Sequence, residues 1–386
     1  MTTENENLEN KGFSYTFADA IMQTSKEENL KSPYILVAGC TGAGKSSLIN
    51  NVLNRDVAKV GAGEPCTMDA RVYKNMYVEI CDTKGYENGN EEQNKKYLED
   101  LKDLIRTVDM STGKNNLVDL VWYCVSAING RFTDYDISLI KEIRDCAYKK
   151  PVAVVLTQVD LSNPSDLSVM KQTIASKMPD VQVFCSFDPK QLRRPEQAKI
   201  IEEAVGPGIH ELYKWSLSHL DEARQRSFLY ACDRDFDSKE EHCARYIKTA
   251  VASAVAAAAS PIPLSDSALL VPIQLGLMAK IFNTWGCLDL SKSAVGTITT
   301  IISTNLGRSL AGSLLKFIPG IGTVGGALIN GTVASTITYA IGKTSVAFCR
   351  MVAEKRVRGE DFEFENIFNS QFDKMLEDYI KKNYSI

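Results

Sequence analysis

Gly39-Cys40-Thr41-Gly42-Ala43-Gly44-Lys45-Ser46 sets three glycines, a lysine and a hydroxyl at the spacing G-x-x-x-x-G-K-[ST]. That pattern suits the binding of a phosphate chain. Glycines let the backbone curl until successive N–H groups face phosphate oxygens, and a helix starting after the loop adds partial positive charge. Lys45 is placed to bridge β- and γ-phosphates, and Ser46 to ligate Mg²⁺, with Ser47 following at the start of the helix.

Three further stretches carry matching chemistry. Asp82-Thr-Lys-Gly85 begins 37 residues after Lys45, directly behind the apolar Ile80-Cys81. A carboxylate there holds a metal-bound water beside the phosphate loop, while the Gly85 N–H reaches a γ-phosphate. Thr67, in the Gly/Pro-rich run Gly61 to Thr67, is the hydroxyl expected to close on Mg²⁺ when a γ-phosphate is present. Thr157-Gln158-Val159-Asp160 follows another apolar run; Asp160 offers two acceptors to the N1–H and N2–H₂ of guanine, a pairing adenine does not provide. Ser186, after Val181 to Cys185, falls in the loop whose backbone N–H is expected to meet guanine O6. The catalytic roles thus fall to Lys45, Thr67 and Gly85, and the metal-binding roles to Ser46, Thr67 and Asp82.

These residues need elements to hold them together. Apolar runs of strand length occur at Tyr34 to Ala38, Val78 to Cys81, Leu117 to Val125, Val152 to Leu156 and Val181 to Cys185. They alternate with helix-like stretches at 92–108, 134–147, 166–177 and 195–218. Strand and helix in alternation predict an α/β fold with a doubly wound, mostly parallel sheet over 31–218. The polar segment from Tyr86 to about 115 is rich in Asn, Glu and Lys, and is expected to move with nucleotide state. A short amphipathic helix is expected within an N-terminal segment, 1–30, and a charged connector helix at 219–247. Residues 248–386 then form a helical, apolar C-terminal domain.

Composition bounds the remaining possibilities. The chain has 386 residues, 44% hydrophobic and 24% charged, so collagen-like and wholly disordered classes are excluded. Its formal charge is -4, with no Lys/Arg block, and no direct nucleic-acid binding is expected. Ten cysteines without a C-x-x-C pair read as core thiols of a reducing compartment, and the polar start carries no secretory pattern. The expected location is cytoplasmic, free in solution or else peripheral to or inserted in a membrane.

The phosphate loop, Thr67, Asp82 to Gly85 and Thr157 to Asp160, in this order, resemble the P-loop GTPases and in detail their Era-like branch. The resemblance covers 31 to about 190. It implies GTP and GDP as ligands, Mg²⁺ as cofactor, and hydrolysis of GTP to GDP and phosphate by a nucleotide-dependent switch. Two positions depart from the family. Gln158 stands where the family carries a base-stacking lysine, which implies weaker guanine selectivity. Tyr86 stands where Ras-type members carry a water-orienting glutamine, which implies slow intrinsic hydrolysis. The second half resembles the uncharacterised helical domain of YcjF-type proteins through Ser260 to Asp266, Gln274 to Met278 and Phe317 to Gly322.

Residues 248–343 hold only eight charges with a net of +4, against 84 charges and a net of -8 elsewhere. Within them, Phe317 to Gly342 is a charge-free run of 26 residues that includes Pro319, Asn330 and six glycines. Both a packed soluble bundle and a membrane-associated module fit this pattern, and self-association through 248–343 fits as well. The alternative function is therefore a membrane-associated scaffold or remodelling protein whose assembly the nucleotide domain gates.

Overall fold

A computed structural model of the chain describes residues 15–54, 64–65, 70–86, 91–111, 118–146, 150–187, 192, 197–206, 208–258, 266–302 and 326–384. They fall into two compact units, Leu30–Arg234 and a second made of Met1–Asn29 with Asp235–Ile386.

The first unit is built on seven strands: β1 (Tyr34–Gly39), β2 (Glu64–Pro65), β3 (Arg71–Lys74), β4 (Glu79–Asp82), β5 (Val118–Ser126), β6 (Val152–Thr157) and β7 (Gln182–Cys185). Their order in the sheet is β2-β3-β4-β1-β5-β6-β7. β1 pairs in parallel with β4 and β5, and β6 pairs in parallel with β5 and β7. The β2 and β3 pairings are antiparallel. Central parallel strands covered on both faces need unbroken apolar sequence, and all six residues of β1 are buried.

Alternation along the strands builds two cores. Leu36, Val121, Tyr123, Val154 and Leu156 face one way and pack with Ile140, Ile143, Met170 and Ile174. Ile35, Val37, Trp122 and Val155 face the other way and pack with Leu48, Ile49, Val52, Tyr213, Phe228 and Tyr230. Each fully buried aliphatic side chain here contributes about 1.5–3 kcal/mol.

Because β1, β4, β5, β6 and β7 run in parallel, their carboxyl ends lie along one edge of the sheet. The chain also reverses its strand order at β1, which has β4 on one side and β5 on the other. Ligands of such sheets bind outside the strand ends at that reversal.

The helices differ from the sequence expectation in two places. The stretch expected as one helix over 195–218 is two, Gln197–Val205 and Ile209–Ser218, separated where Gly206 takes φ +79°. The connector expected over 219–247 is also two helices, Glu222–Ala231 and Phe236–Ala258. The first belongs to the sheet unit because Phe228, Tyr230 and Ala231 fill its core. The helix expected over 92–108 is present as Glu91–Ser111, with Leu101 and Ile105 in the core.

The second unit is helical: Phe17–Glu28, Phe236–Ala258, Asp266–Thr284, Leu288–Ser291, Val295–Thr300, Gly326–Arg358 and Phe364–Tyr384. The N-terminal helix groups with it because Phe17 packs edge-on against Phe282 at 5.8 Å. Its far end is held by Tyr246 Oη and Asn283 Nδ2, which donate to Glu28 at 2.8 and 3.0 Å. Phe282, Phe348, Phe364, Phe368 and Phe372 stack into the centre of this unit. Among the described residues no helix is long and apolar enough to cross a membrane. Much of the charge-free run, including Phe317 to Gly322 and Pro319, lies outside the described residues.

Candidate functional site

The phosphate loop leaves β1 at Gly39 and enters the helix Lys45–Leu53. Its glycines take φ of +140°, +77° and +71° at 39, 42 and 44, a region that other residues adopt at a cost. Gly39 has a second constraint: a Cβ there would lie 2.2 Å from the Cys124 carbonyl oxygen. Lys45 is buried, and its Nζ donates to Gly39 O at 3.2 Å and Cys40 O at 3.0 Å. The ammonium therefore sits over the curl of its own loop, where an anion held by the loop N–H groups would meet it.

Two neighbouring strands brace the loop. Thr157, at the end of β6, donates from Oγ1 to Ala43 O at 2.8 Å and to Val125 O at 3.3 Å. Thr41 N–H donates to Tyr86 O at 2.8 Å, and Cys40 bridges Tyr86 in parallel. This stitch requires a glycine at 85, since a Cβ there would lie 2.1 Å from Thr41 N. Gly85→Ala is expected to destabilise the protein by about 1–3 kcal/mol, because backbone must move to admit one methyl group. Thermal unfolding checks this, together with faster amide exchange at Thr41; unchanged values for both would refute the close approach.

Ser46 Oγ donates to Asp82 Oδ2 at 2.6 Å, so the hydroxyl and the carboxylate meet in front of the loop. Burial pushes the Asp82 carboxyl above the usual range, against the opposing pull of the Ser46 hydroxyl, Lys45 and Arg71. A buried carboxylate beside a hydroxyl suits a hard divalent cation with oxygen ligands. Thr67, the remaining expected metal ligand, lies outside the described residues.

Tyr86 turns away from the loop. Its hydroxyl donates to Asp136 Oδ1 at 2.6 Å, as does that of Tyr123 at 2.8 Å. Asp136 Oδ2 accepts from Thr133 N–H and Oγ1 at 2.8 and 2.6 Å. Burial, then the Asp136 charge, raise both phenols far above their ordinary value. Tyr97 and Tyr135 flank the Tyr86 ring at 5.7 and 5.0 Å.

The residues expected to read the base meet around one cavity lined by Gly44, Ser47, Asn51, Thr157, Gln158, Asp160, Ser186 and Phe187, among others. Gln158 takes φ +57°, unusual for a residue with a long side chain, and its Oε1 accepts from Ser126 Oγ at 2.6 Å. Asp160 follows in the short turn Val159–Leu161. Ser186 is buried, and its own N–H is used on Leu156 O at 2.8 Å, so that group is not free to face a base. Its hydroxyl instead accepts from Asn51 Nδ2 at 3.4 Å. Asn51, Ser126 and the Tyr86–Asp136–Tyr123 network carried no signal in the motif spacing. Only Thr133-x-x-Asp136 could have been read ahead, as a helix-start pairing of hydroxyl and carboxylate.

Residues 34–158 match the sequence profile of the family described as 50S ribosome-binding GTPase. Among curated proteins, Magnetosome membrane protein 22 of Magnetospirillum gryphiswaldense is 35% identical over 104 residues, which is 26% of this chain and 53% of that protein. The chain thus spans about half the length of this curated relative. Among solved structures, Era in complex with MgGDPNP and a stretch of 16S ribosomal RNA overlaps 46% of this chain and 58% of its own, at 20% identity and a TM-score of 0.31. LeoA, a bacterial dynamin GTPase from ETEC, overlaps 95% of this chain and 92% of its own, at 12% identity and a TM-score of 0.35. The loop geometry, the sheet order and the profile match agree on a P-loop GTPase domain, matched over residues 34–158.

Proposed function

We propose that the chain binds guanine nucleotide with Mg²⁺, hydrolyses GTP slowly to GDP and phosphate, and uses the nucleotide state to switch its helical unit. The observation that carries this reading is the gathering of Lys45, Ser46, Asp82 and the Asp160 cavity along one edge of the sheet. The family match supports it. Loop N–H groups from Gly39 to Ser47 and the Lys45 ammonium would hold the phosphates. Ser46, Asp82 and Thr67 would hold the metal, with Asp82 acting through a water. Bound Mg²⁺ neutralises charge on the phosphate oxygens. The Gly85 N–H would face the γ-phosphate, and Asp160 would read the base with the Gln158 stem along its ring.

Slow hydrolysis follows from Tyr86, whose hydroxyl is committed to Asp136. Tyr86→Gln is expected to leave the GTPase rate within about threefold of wild type, because the side chain at 86 is directed at Asp136, while costing about 1–3 kcal/mol of stability through the lost hydrogen bond to Asp136 and the lost packing of a buried ring. Phosphate-release kinetics and thermal unfolding check the two halves; a tenfold faster variant would show that residue 86 can reach the attacking water.

The primary test is calorimetric titration of the full chain with GDP and ADP in the presence of Mg²⁺. Much tighter binding of GDP is expected, and equal affinities would overturn the base assignment.

A second reading concerns the helical unit. A curated relative is named a membrane protein, and residues 248–343 carry a net charge of +4 with few charges in all. Peripheral membrane association or self-association of this unit, gated by nucleotide, fits both. Co-sedimentation with anionic vesicles and a concentration series of GTPase rate, each in GDP and in a non-hydrolysable GTP analogue, test these separately.

A further inference from the structure

The C-terminal end of the phosphate-loop helix carries a second set of contacts, far in sequence from the family motifs. Helix Lys45–Leu53 closes on Asn54, whose N–H reaches back to Asn50 O and Asn51 O, and the last carbonyls of a helix call for further donors from outside it. Arg234 supplies one: its Nε donates to Asn51 O at 3.0 Å and Val52 O at 3.1 Å, and Nη2 also donates to Asn51 O. A cation at this end of a helix also meets its partial negative charge. Next to it, Asp233 N–H donates to Leu53 O at 2.9 Å, and Asn54 Nδ2 donates to Asp233 O at 2.7 Å. Residues 233 and 234 are therefore fastened to the phosphate-loop helix by side chains and backbone together.

The fastening continues to the base cavity through Asn51. Arg234 Nη2 donates to Asn51 Oδ1 at 2.8 Å, and a guanidinium can only donate. The Asn51 amide is thereby held with its oxygen toward Arg234 and its nitrogen toward the loop after β7. There Nδ2 donates to Phe187 O at 2.6 Å and to Ser186 Oγ at 3.4 Å. Asn51 and Phe187 line the Asp160 cavity on one side and a second cavity of about 580 Å³, bordered by Arg234, on the other. They form a partition between the two cavities, held by these bonds as well as by the burial of Phe187 in the core.

We propose that Asn51 and Arg234 are positioning residues that set guanine selectivity by holding the 186–187 loop at the base. Arg234 is also the last residue of the GTPase-bearing unit, immediately before the chain enters the helical one. This inference rests on the guanine-nucleotide reading above.

The test uses the full chain with Mg²⁺, titrated with GDP and, by competition, with ADP. Asn51→Ala and Arg234→Ala are each expected to weaken GDP about five- to tenfold, the effect of losing one well-made hydrogen bond, with ADP unchanged. The double variant is expected to be no weaker than the worse single one, because both act along one chain of contacts. Arg234→Lys keeps the charge but loses the fork, and should behave as Arg234→Ala; it also serves if the alanine variant does not fold. Equal losses for GDP and ADP, additive losses, or unchanged GDP affinity would each overturn the proposal while wild-type binding of GDP stands. Wild type that prefers neither nucleotide would overturn the parent reading and this one with it.

Discussion

Lys45→Ala is expected to abolish detectable binding of GDP and GTP, a loss of at least about 100-fold. Hydrogen bonds to charged groups contribute roughly 1.5–3 kcal/mol each. A lysine bridging two phosphates makes at least two of them, which corresponds to about 10²–10⁴ in affinity. The unliganded protein loses much less. Lys45 Nζ is held there by two loop carbonyls, Gly39 O and Cys40 O, at 3.2 and 3.0 Å, and both oxygens lie beside a curl that opens toward a ligand. Melting without nucleotide should therefore shift little, while the stabilisation that nucleotide gives wild type disappears. Calorimetric titration and melting curves with and without Mg²⁺-GDP decide the matter. Binding within threefold of wild type would mean that the phosphates are held elsewhere.

The same charge-assisted reasoning explains what could be read from sequence. Four of the five parallel strands are largely buried apolar runs ending on a polar residue or glycine placed at the candidate site. Gly39, Asp82, Ser126 and Thr157 close β1, β4, β5 and β6 in this way. Runs of that kind are legible because a strand buried on both faces has no alternative composition. β3 was not legible, since Arg71-Val-Tyr-Lys74 is short, exposed at both ends and has only Tyr73 buried. The breaks at Gly206 and at Cys232–Asp235 were missed for different reasons. Gly206-Pro207-Gly208 is a breaker signal that the apolar periodicity on either side outweighed, and residues 233–234 leave the helix to bind carbonyls about 180 residues earlier.

At the site, motif spacing picked out the groups expected to touch a ligand but not those that hold them in place. Thr157 illustrates the difference. Sequence placed it in the base-reading stretch, while its buried hydroxyl braces Ala43 in the phosphate loop. Tyr86 was readable as a poor orienter of water, yet its commitment to Asp136 depends on residues 50 positions away in sequence. Contacts of this kind are set by which strands become neighbours, and that information is distributed over the whole sheet.

Asp160→Ala is expected to lower GDP affinity by about 10²–10⁴ while leaving ADP within about threefold, because two charge-assisted hydrogen bonds to the guanine edge are lost together. The site is well prepared for such a loss. Asp160 sits in the turn after β6, where Val159 N–H donates to Ser186 O at 3.3 Å and Leu161 N–H donates to Gln158 O at 3.1 Å. These backbone bonds do not involve the carboxylate, so the turn should survive its removal. Gln158 is independently restrained by Ser126 and should keep its place beside the ring. The loss should then appear in base discrimination rather than in stability, and Asp160→Asn should show it too. Asparagine presents an N–H₂ to a base edge that also donates, so one bond is lost and the remaining one carries no charge. Titration of both variants with GDP and ADP, alongside melting curves, separates the outcomes. Parallel losses for the two nucleotides would mean that Asp160 supports the loop; a loss confined to GDP places its carboxylate at the base.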